Sequence, residues 1–288
     1  MNSIKRVSKY CLKVLLQSKI ITAILYKIII PINAMVEERY MINKVAELFR
    51  INSRVREIFK DHIVLNGTFK GLKYPNYESF GSEIFPKLLG SYESELAPVF
   101  KKILKKDYSS IIDIGCAEGY YAVGLAIKYH NASIYAYDTD EHALQLCREM
   151  AVYNNVNNVE YRSNCTEDTL TGFIFPSRGL IISDCEGCES TLFTEKSVQN
   201  LKKCDILIET HDLYDNTISS KLEKLFEKTH KITKILSTDD LQKVKYYNYI
   251  EIKELSTIEK ESFLKKDGVV LWNGTFMKQY NKYSLSSV

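Results

Sequence analysis

Acidic residues and glycines stand at the ends of short apolar runs in this sequence, where strands would bring them together. Ile111, Ile112 and Ile114 enclose Asp113 and run into the turn Gly115-Cys-Ala117-Glu-Gly119. Ser133-Ile-Tyr-Ala-Tyr137 stops at Asp138, Gly179-Leu-Ile-Ile-Ser183 stops at Asp184-Cys-Glu186, and Asp205-Ile-Leu-Ile-Glu209 stops at Thr-His211-Asp212. Glycines let backbone amides come close to a ligand. A carboxylate at a strand tip accepts both hydroxyls of a ribose. Histidine, whose ordinary pKa is about 6.5, takes up a proton near neutral pH. Together these residue types suit holding a nucleoside and removing a proton beside it.

The elements that must position these groups follow from hydrophobic spacing. The run at 111–114 reads as a strand, the glycines as a tight turn, and Tyr120-Tyr-Ala-Val-Gly-Leu-Ala-Ile-Lys128 as a buried helix. With 133–137 as a second strand they form a βαβ unit whose acidic tip, Asp138, lies about twenty residues past the glycines. A dinucleotide site uses G-x-G-x-x-G so that a pyrophosphate rests on the helix N-terminus. Here the pattern is Asp113-x-Gly115-x-Ala117-x-Gly119, and Asp113 and Glu118 are expected to flank any phosphate and repel it. S-adenosylmethionine (SAM) carries an ammonium and a sulfonium and no phosphate. The segment resembles motif I of the class I SAM-dependent methyltransferases, with Asp138 matching their ribose-binding acidic residue.

That resemblance implies an α/β fold, the Rossmann-like seven-stranded class I sheet, with the last strand inserted as an antiparallel hairpin beside the fifth. SAM is then the expected cofactor, held by Asp113, Gly115, Ala117, Gly119, Asp138, Asn164 and Asp184. Further strands read at 157–163, 179–183, 205–212, 231–236 and 269–272, with helices led by the stripe Ala143, Leu144, Cys147, Met150 and Ala151 and by 218–228. Asn164 follows the third strand, beside the adenine in the fold this resembles, and it serves either the base or a turn. After the fourth strand, Asp184-x-Glu186-Gly187-x-Glu189 resembles the FkbM-type branch, whose members act mainly as O-methyltransferases on sugars and secondary metabolites. The likeness runs from about Asp113 to His230, and Cys185 departs from it where that branch carries an aliphatic residue.

Open parallel sheets bind ligands beyond the carboxyl ends of their strands, and Asp113, Asp138, Asp184 and Glu209 share that edge. Methyl transfer is an in-line displacement that needs nucleophile and methyl held in line. An alcohol must also lose its proton. His211 is the candidate general base, and Asp184 and Glu186 either replace it or orient the acceptor. Alternatively, Asp184, Glu186, Glu209 and His211 hold a hard divalent cation that lowers the pKa of a hydroxyl. The same carboxylates equally steer a cationic cofactor, so no metal is the expectation.

Outside this core, residues 1–34 are basic and amphipathic, without an acidic residue before Glu37. The longest uncharged run there, Ile20 to Tyr26, is far short of the roughly twenty residues that span a bilayer. This segment either lies on an anionic inner membrane surface as a peripheral contact or packs on protein. Residues 35–105 read as an extension: a long helix over 35–61, a β-hairpin over 63–74 turning at Asn66-Gly67, and helical pieces broken at Pro86 and Gly90. Tyr92, Glu93 and Glu95 then belong to a cofactor lid, or to a helix start capped by Ser91 or Ser94. The methyltransferase core takes 106–288.

At 288 residues and 45% hydrophobic content the chain has ample material for one large domain. A net charge of +3 gives no global case for a nucleic-acid partner. The fourth strand lacks the Asn/Asp-Pro-Pro-aromatic motif that grips an extruded base, so DNA is not expected; a small molecule or glycan is the leading acceptor, with RNA left open. Seven scattered cysteines suggest reduced thiols and a cytoplasmic chain, and Cys185-x-x-Cys188, too few for a zinc site, reads as incidental. Competing readings are a non-catalytic SAM-binding module at a membrane surface and an NAD-dependent oxidoreductase. No oligomeric state is legible.

Overall fold

The computed structural model describes residues 53, 55–212, 217–264 and 281–287. Residues 1–34, most of the helix expected over 35–61 and the strand expected at 269–272 lie outside them. The chain divides into two units, Met1–Ile58 and Phe59–Val288. In the first, the described residues 55–58 are helical.

The second unit is built on a sheet of seven strands: β1 (Ser110–Ile114), β2 (Ser133–Tyr137), β3 (Val159–Arg162), β4 (Gly179–Ser183), β5 (Cys204–Thr210), β6 (His230–Leu236) and β7 (Asn281–Ser287). Their order is β3-β2-β1-β4-β5-β7-β6, parallel from β3 to β5, with β7 antiparallel to both β5 and β6. This is the Rossmann-like methyltransferase arrangement. Every residue of β1, β4 and β5 is buried, the consecutive apolar residues at their centres filling both covered faces of the parallel sheet. Ile112, Ile114, Ile181, Ile206 and Ile208 join Leu192, Phe193, Leu222 and Phe226 in one core cluster. Ile111, Leu180, Ile182 and Leu207 alternate with that set and are buried on the opposite face.

Register places the site. Ile114 pairs with both Tyr137 and Ser183, and Ser183 pairs with Ile208. The next residue of each strand, Gly115, Asp138, Asp184 and Glu209, therefore falls in line along one edge.

Helices around the sheet include α1 (Ile84–Leu89), α2 (Ala97–Ile103), α3 (Tyr120–Lys128), α4 (Glu141–Tyr153), α5 (Glu167–Gly172), α6 (Glu189–Leu192), α7 (Glu195–Asn200) and α8 (Ile218–Phe226). Asp140 caps α4 by accepting from the His142 and Ala143 amides, and the expected stripe from Ala143 to Ala151 is buried. Pro86 does not break α1; it sits in the first turn, where a backbone N–H has no helical partner to lose. Gly90, at φ 82, ends that helix as expected.

The hairpin expected at 63–74 forms differently. A single bridge joins Ile63 to Lys73, and the Leu65 amide bonds to Leu88 instead of crossing to a partner strand. The Asn66 side chain is drawn to the Leu89 carbonyl and Glu251, so Asn66-Gly67 packs against the end of α1 and makes no two-residue strand turn. From this loop Phe69 lies edge-on to Phe100, Tyr120 and Tyr121, directly over Gly124 of α3. Neither Ser91 nor Ser94 caps a helix: Glu93 precedes the short 3-10 turn Ser94–Leu96 in a left-handed conformation, without a side-chain cap.

Candidate active site

The turn after β1 is held to both neighbouring strands. Gly115 and Cys116 each donate an amide to the Tyr137 carbonyl, at 2.8 and 3.0 Å. Gly115 has φ 78, and a Cβ built on it would stand 1.8 Å from the Asp184 carbonyl oxygen, so glycine is demanded twice, by conformation and by the close approach of the β4 exit. Ala117, also left-handed at φ 49, gives its amide to Asp138 Oδ2 at 2.9 Å. Asp140 gives its amide to Oδ1 at the same distance. The Asp138 carboxylate is thus fixed beside the turn before any ligand arrives.

A cavity of about 810 Å³ opens over this edge, bordered by Gly115, Ala117, Asp138, Asn164, Asp184, Glu186, Glu209 and His211. It lies within the size range of sites for small ligands. Tyr92 and Tyr120 line it too. Asp113 and Gly119, expected among the cofactor residues, do not border it. Asp113 is buried beneath the turn, its Oδ2 lacks a hydrogen-bond partner, and desolvation pushes its pKa up to about 8. Gly119, at φ 99, seats α3 on α4, where a Cβ would lie 2.7 Å from Cys147 Sγ.

Glu118 also departs from expectation. It is buried outside the cavity lining, paired with Lys87 Nζ at 2.5 Å, and it accepts from Tyr74 Oη, Ser79 Oγ and the Phe80 amide. Asp113 and Glu118 are therefore not the charges that a phosphate would meet. That part falls to Asp138, Asp184, Glu186 and Glu209, which do line the cavity.

At the β4 and β5 exits the groups with acid–base chemistry converge. His211 is 1% exposed; its Nδ1 lies 2.6 Å from Glu189 Oε1, and its Nε2 lies 3.3 Å from Asp184 Oδ1 and 3.4 Å from Glu186 Oε2. Burial acts to lower the His211 pKa. The Glu189 hydrogen bond and the charges of Asp184, Glu189 and Glu186 act against it, and the balance lies above the ordinary value. Asp184, Glu186 and His211 offer ligand atoms within 4.8 Å of one another, as do Glu93, Asp184 and Glu209. Oxygen-rich groups of this kind suit a hard cation or the cationic end of a cofactor.

Sequence reasoning missed three partners. Glu189, fully buried at the start of α6, holds His211; its sequence signal is its place in the Asp184-x-Glu186-Gly187-x-Glu189 turn. Glu93, read only as part of a lid or a helix start, accepts from Tyr121 Oη and approaches Asp184 and Glu209. The third is the Lys87–Glu118 pair, which spacing alone does not announce. Cys185-x-x-Cys188 is not incidental: the two sulfurs are bonded, because the turn between them folds back and leaves the Cα atoms 5.6 Å apart. The remaining described cysteines, Cys116, Cys147, Cys165 and Cys204, are free and buried.

The strand order is that of the class I SAM-dependent methyltransferases, and the cavity lies over the strand ends where an open parallel sheet binds its ligand. Residues 105–273 match the family model described as a methyltransferase domain, more than half of the chain, and the protein belongs to that family. No curated protein matches the sequence. Among solved structures, a precorrin-6y C5,15-methyltransferase from Geobacter metallireducens GS-15 is similar at 13% identity and a TM-score of 0.39, covering 66% of this chain and 89% of its own. An rRNA methylase from Streptococcus thermophilus is similar at 12% identity and a TM-score of 0.42, covering 67% and 97%. A tRNA (uracil-54, C5)-methyltransferase from Pyrococcus abyssi, solved with S-adenosylhomocysteine, is similar at 15% identity and a TM-score of 0.36, covering 50% and 34%. These likenesses are too distant to speak for the acceptor. Among the described residues no helix is long and apolar enough to cross a membrane.

Proposed function

We propose that the protein transfers the SAM methyl group to a hydroxyl of a small molecule or glycan, with His211 as general base. The observation that carries this reading is the buried Glu189 carboxylate on Nδ1 of His211, with Nε2 turned to Asp184 and Glu186 on the cavity wall. A carboxylate on Nδ1 selects the tautomer whose Nε2 accepts a proton.

The residues present fit SAM: Asp138 is held open for the ribose hydroxyls, Asn164 lies at the rim for the base, and Asp184, Glu186 and Glu209 favour positive charge. Bound there, SAM supplies an electrophilic methyl carbon. His211 Nε2, on the cavity wall, is the group placed to take the proton of an acceptor hydroxyl. Asp184 and Glu186 orient that hydroxyl. Placement in the FkbM-type branch, and with it a sugar or secondary-metabolite acceptor, is supported by the Asp184-x-Glu186-Gly187-x-Glu189 turn. Peripheral membrane contact is supported by the basic composition of residues 1–34; a cytoplasmic setting draws support from four free thiols among the described residues, with the Cys185–Cys188 bond standing against it.

Calorimetric titration with SAM, followed by transfer of carbon-13-labelled methyl from SAM to cell extracts, tests the reading. The expected product carries its label on oxygen, read from the methyl chemical shift. Label on nitrogen or carbon overturns the hydroxyl acceptor, and loss of transfer on treatment with a chelator, restored by magnesium, moves hydroxyl activation from His211 to a metal.

A further inference from the structure

The disulfide between Cys185 and Cys188 closes the turn after β4, in which Glu186 and Gly187 take left-handed conformations at φ 53 and 105. Its chain neighbours give it a particular place. Asp184, just before Cys185, faces His211 Nε2 at 3.3 Å, and Glu189, just after Cys188, holds Nδ1 at 2.6 Å. Glu186, inside the ring, lies 3.4 Å from Nε2. The bond thus closes a small ring whose two exits grip one imidazole from opposite nitrogens. Both cysteines are half-buried and border the cavity; the four free thiols are buried, and of these Cys116 and Cys165 also lie on the cavity lining. A loop this short removes little freedom from the unfolded chain, so the bond acts locally more than on global stability.

We propose that Cys185 and Cys188 form a reversible redox site that sets the grip of Asp184, Glu186 and Glu189 on His211. It rests on the reading of His211 as the proton acceptor only for its bearing on catalysis. Closing the bond requires a small-molecule disulfide such as oxidised glutathione. One protein thiolate attacks it and expels a glutathione thiolate; the second attacks the mixed disulfide and expels the other. Two protein thiols are oxidised, one glutathione disulfide is reduced to two thiols, and the two protein thiol protons pass through solvent to the departing thiolates. Excess reduced glutathione runs the same steps backwards.

The test uses the full chain after long incubation with reduced or with oxidised glutathione. Iodoacetamide labelling with peptide mapping reads the two cysteines, and nitrogen-15 NMR of the histidine rings, with His211 assigned through His211→Gln, reads the grip. Both cysteines are expected to be alkylated after reduction and neither after oxidation, with the His211 ring signals shifted between the two states. Cys185→Ser/Cys188→Ser is expected to show the reduced ring pattern in both buffers. Alkylation that is the same in both buffers, or a broken bond with unmoved His211 signals, overturns the proposal. No SAM or acceptor is needed, so this result and the methyl-transfer reading stand or fall separately.

Discussion

Replacing Gly115 by alanine strikes the contact on which the cofactor turn depends. Two costs add. The residue stands at φ 78, and left-handed backbone costs an L-residue about 1–2 kcal/mol. Its new Cβ would begin 1.8 Å from the Asp184 carbonyl oxygen and must reach at least 3.4 Å for ordinary contact, against backbone that is fixed in the β1–β4 register. Forced shifts in a packed interior cost about 1–3 kcal/mol. The expected loss is therefore about 2–5 kcal/mol, a fall in Tm of roughly 4–20 °C for a unit of this size. Because the same opening pulls the Ala117 amide from Asp138, SAM affinity is expected to fall at least about tenfold. Gly71→Ala is the control: at φ 93 with nothing within 4 Å of its Cβ, it bears the conformational cost alone and leaves SAM binding unchanged. Thermal unfolding and calorimetric SAM titration of both variants decide. If Gly115→Ala melts with Gly71→Ala and binds SAM like the parent, the close approach of the two loops is wrong.

Four further outcomes are expected. Lys87→Met strands the Glu118 carboxylate in the interior and is expected to cost about 3–5 kcal/mol by urea unfolding, partly restored in Lys87→Met/Glu118→Gln; a loss too small to measure contradicts the buried pair. Asp113 keeps a proton when folded up to pH about 8 but loses it near 3.8 when unfolded, so its contribution to stability declines as pH rises across that window; Asp113→Asn is expected to flatten the decline, and parallel stability–pH curves refute the assignment. His211→Ala is expected to bind SAM and lose turnover. In the parent chain the folded His211 pKa lies above 6.5, so its stabilising contribution is present below that pH and fades as pH climbs through the folded value, while the rate rises over the same limb. Glu189→Gln is expected to move the His211 ring titration to lower pH, and an unmoved midpoint removes Glu189 as its partner.

The parallel strands are legible in the sequence because Ile111-Ile112, Leu180-Ile-Ile182 and Ile206-Leu-Ile208 set apolar residues consecutively instead of alternating them with polar ones, as a doubly covered sheet requires. Gly115 and Asp138 are legible for a related reason: a glycine-spaced turn and an acidic strand tip are local patterns. Partners that meet through tertiary packing are not. Glu118 reads as a charge beside the ligand because nothing local announces Lys87, 31 residues earlier, as its counter-ion. Asn66-Gly67 reads as a hairpin turn because the competing bonds come from Leu88, Leu89 and Glu251, far along the chain. Glu189 is quoted in the motif, but its role depends on His211, which arrives from the next strand.

The Lys87–Glu118 pair has a practical consequence for anyone trimming the chain. The region matched by the family begins at residue 105, which invites a shortened protein starting there. Such a piece would keep Glu118 but shed Tyr74, Ser79, Phe80 and Lys87, its whole set of donors, and would uncover the flank of α3 where Phe69 rests on Gly124. The stretch ahead of the sheet is a keel for the cofactor turn, and insoluble material is the expected reward for cutting it away.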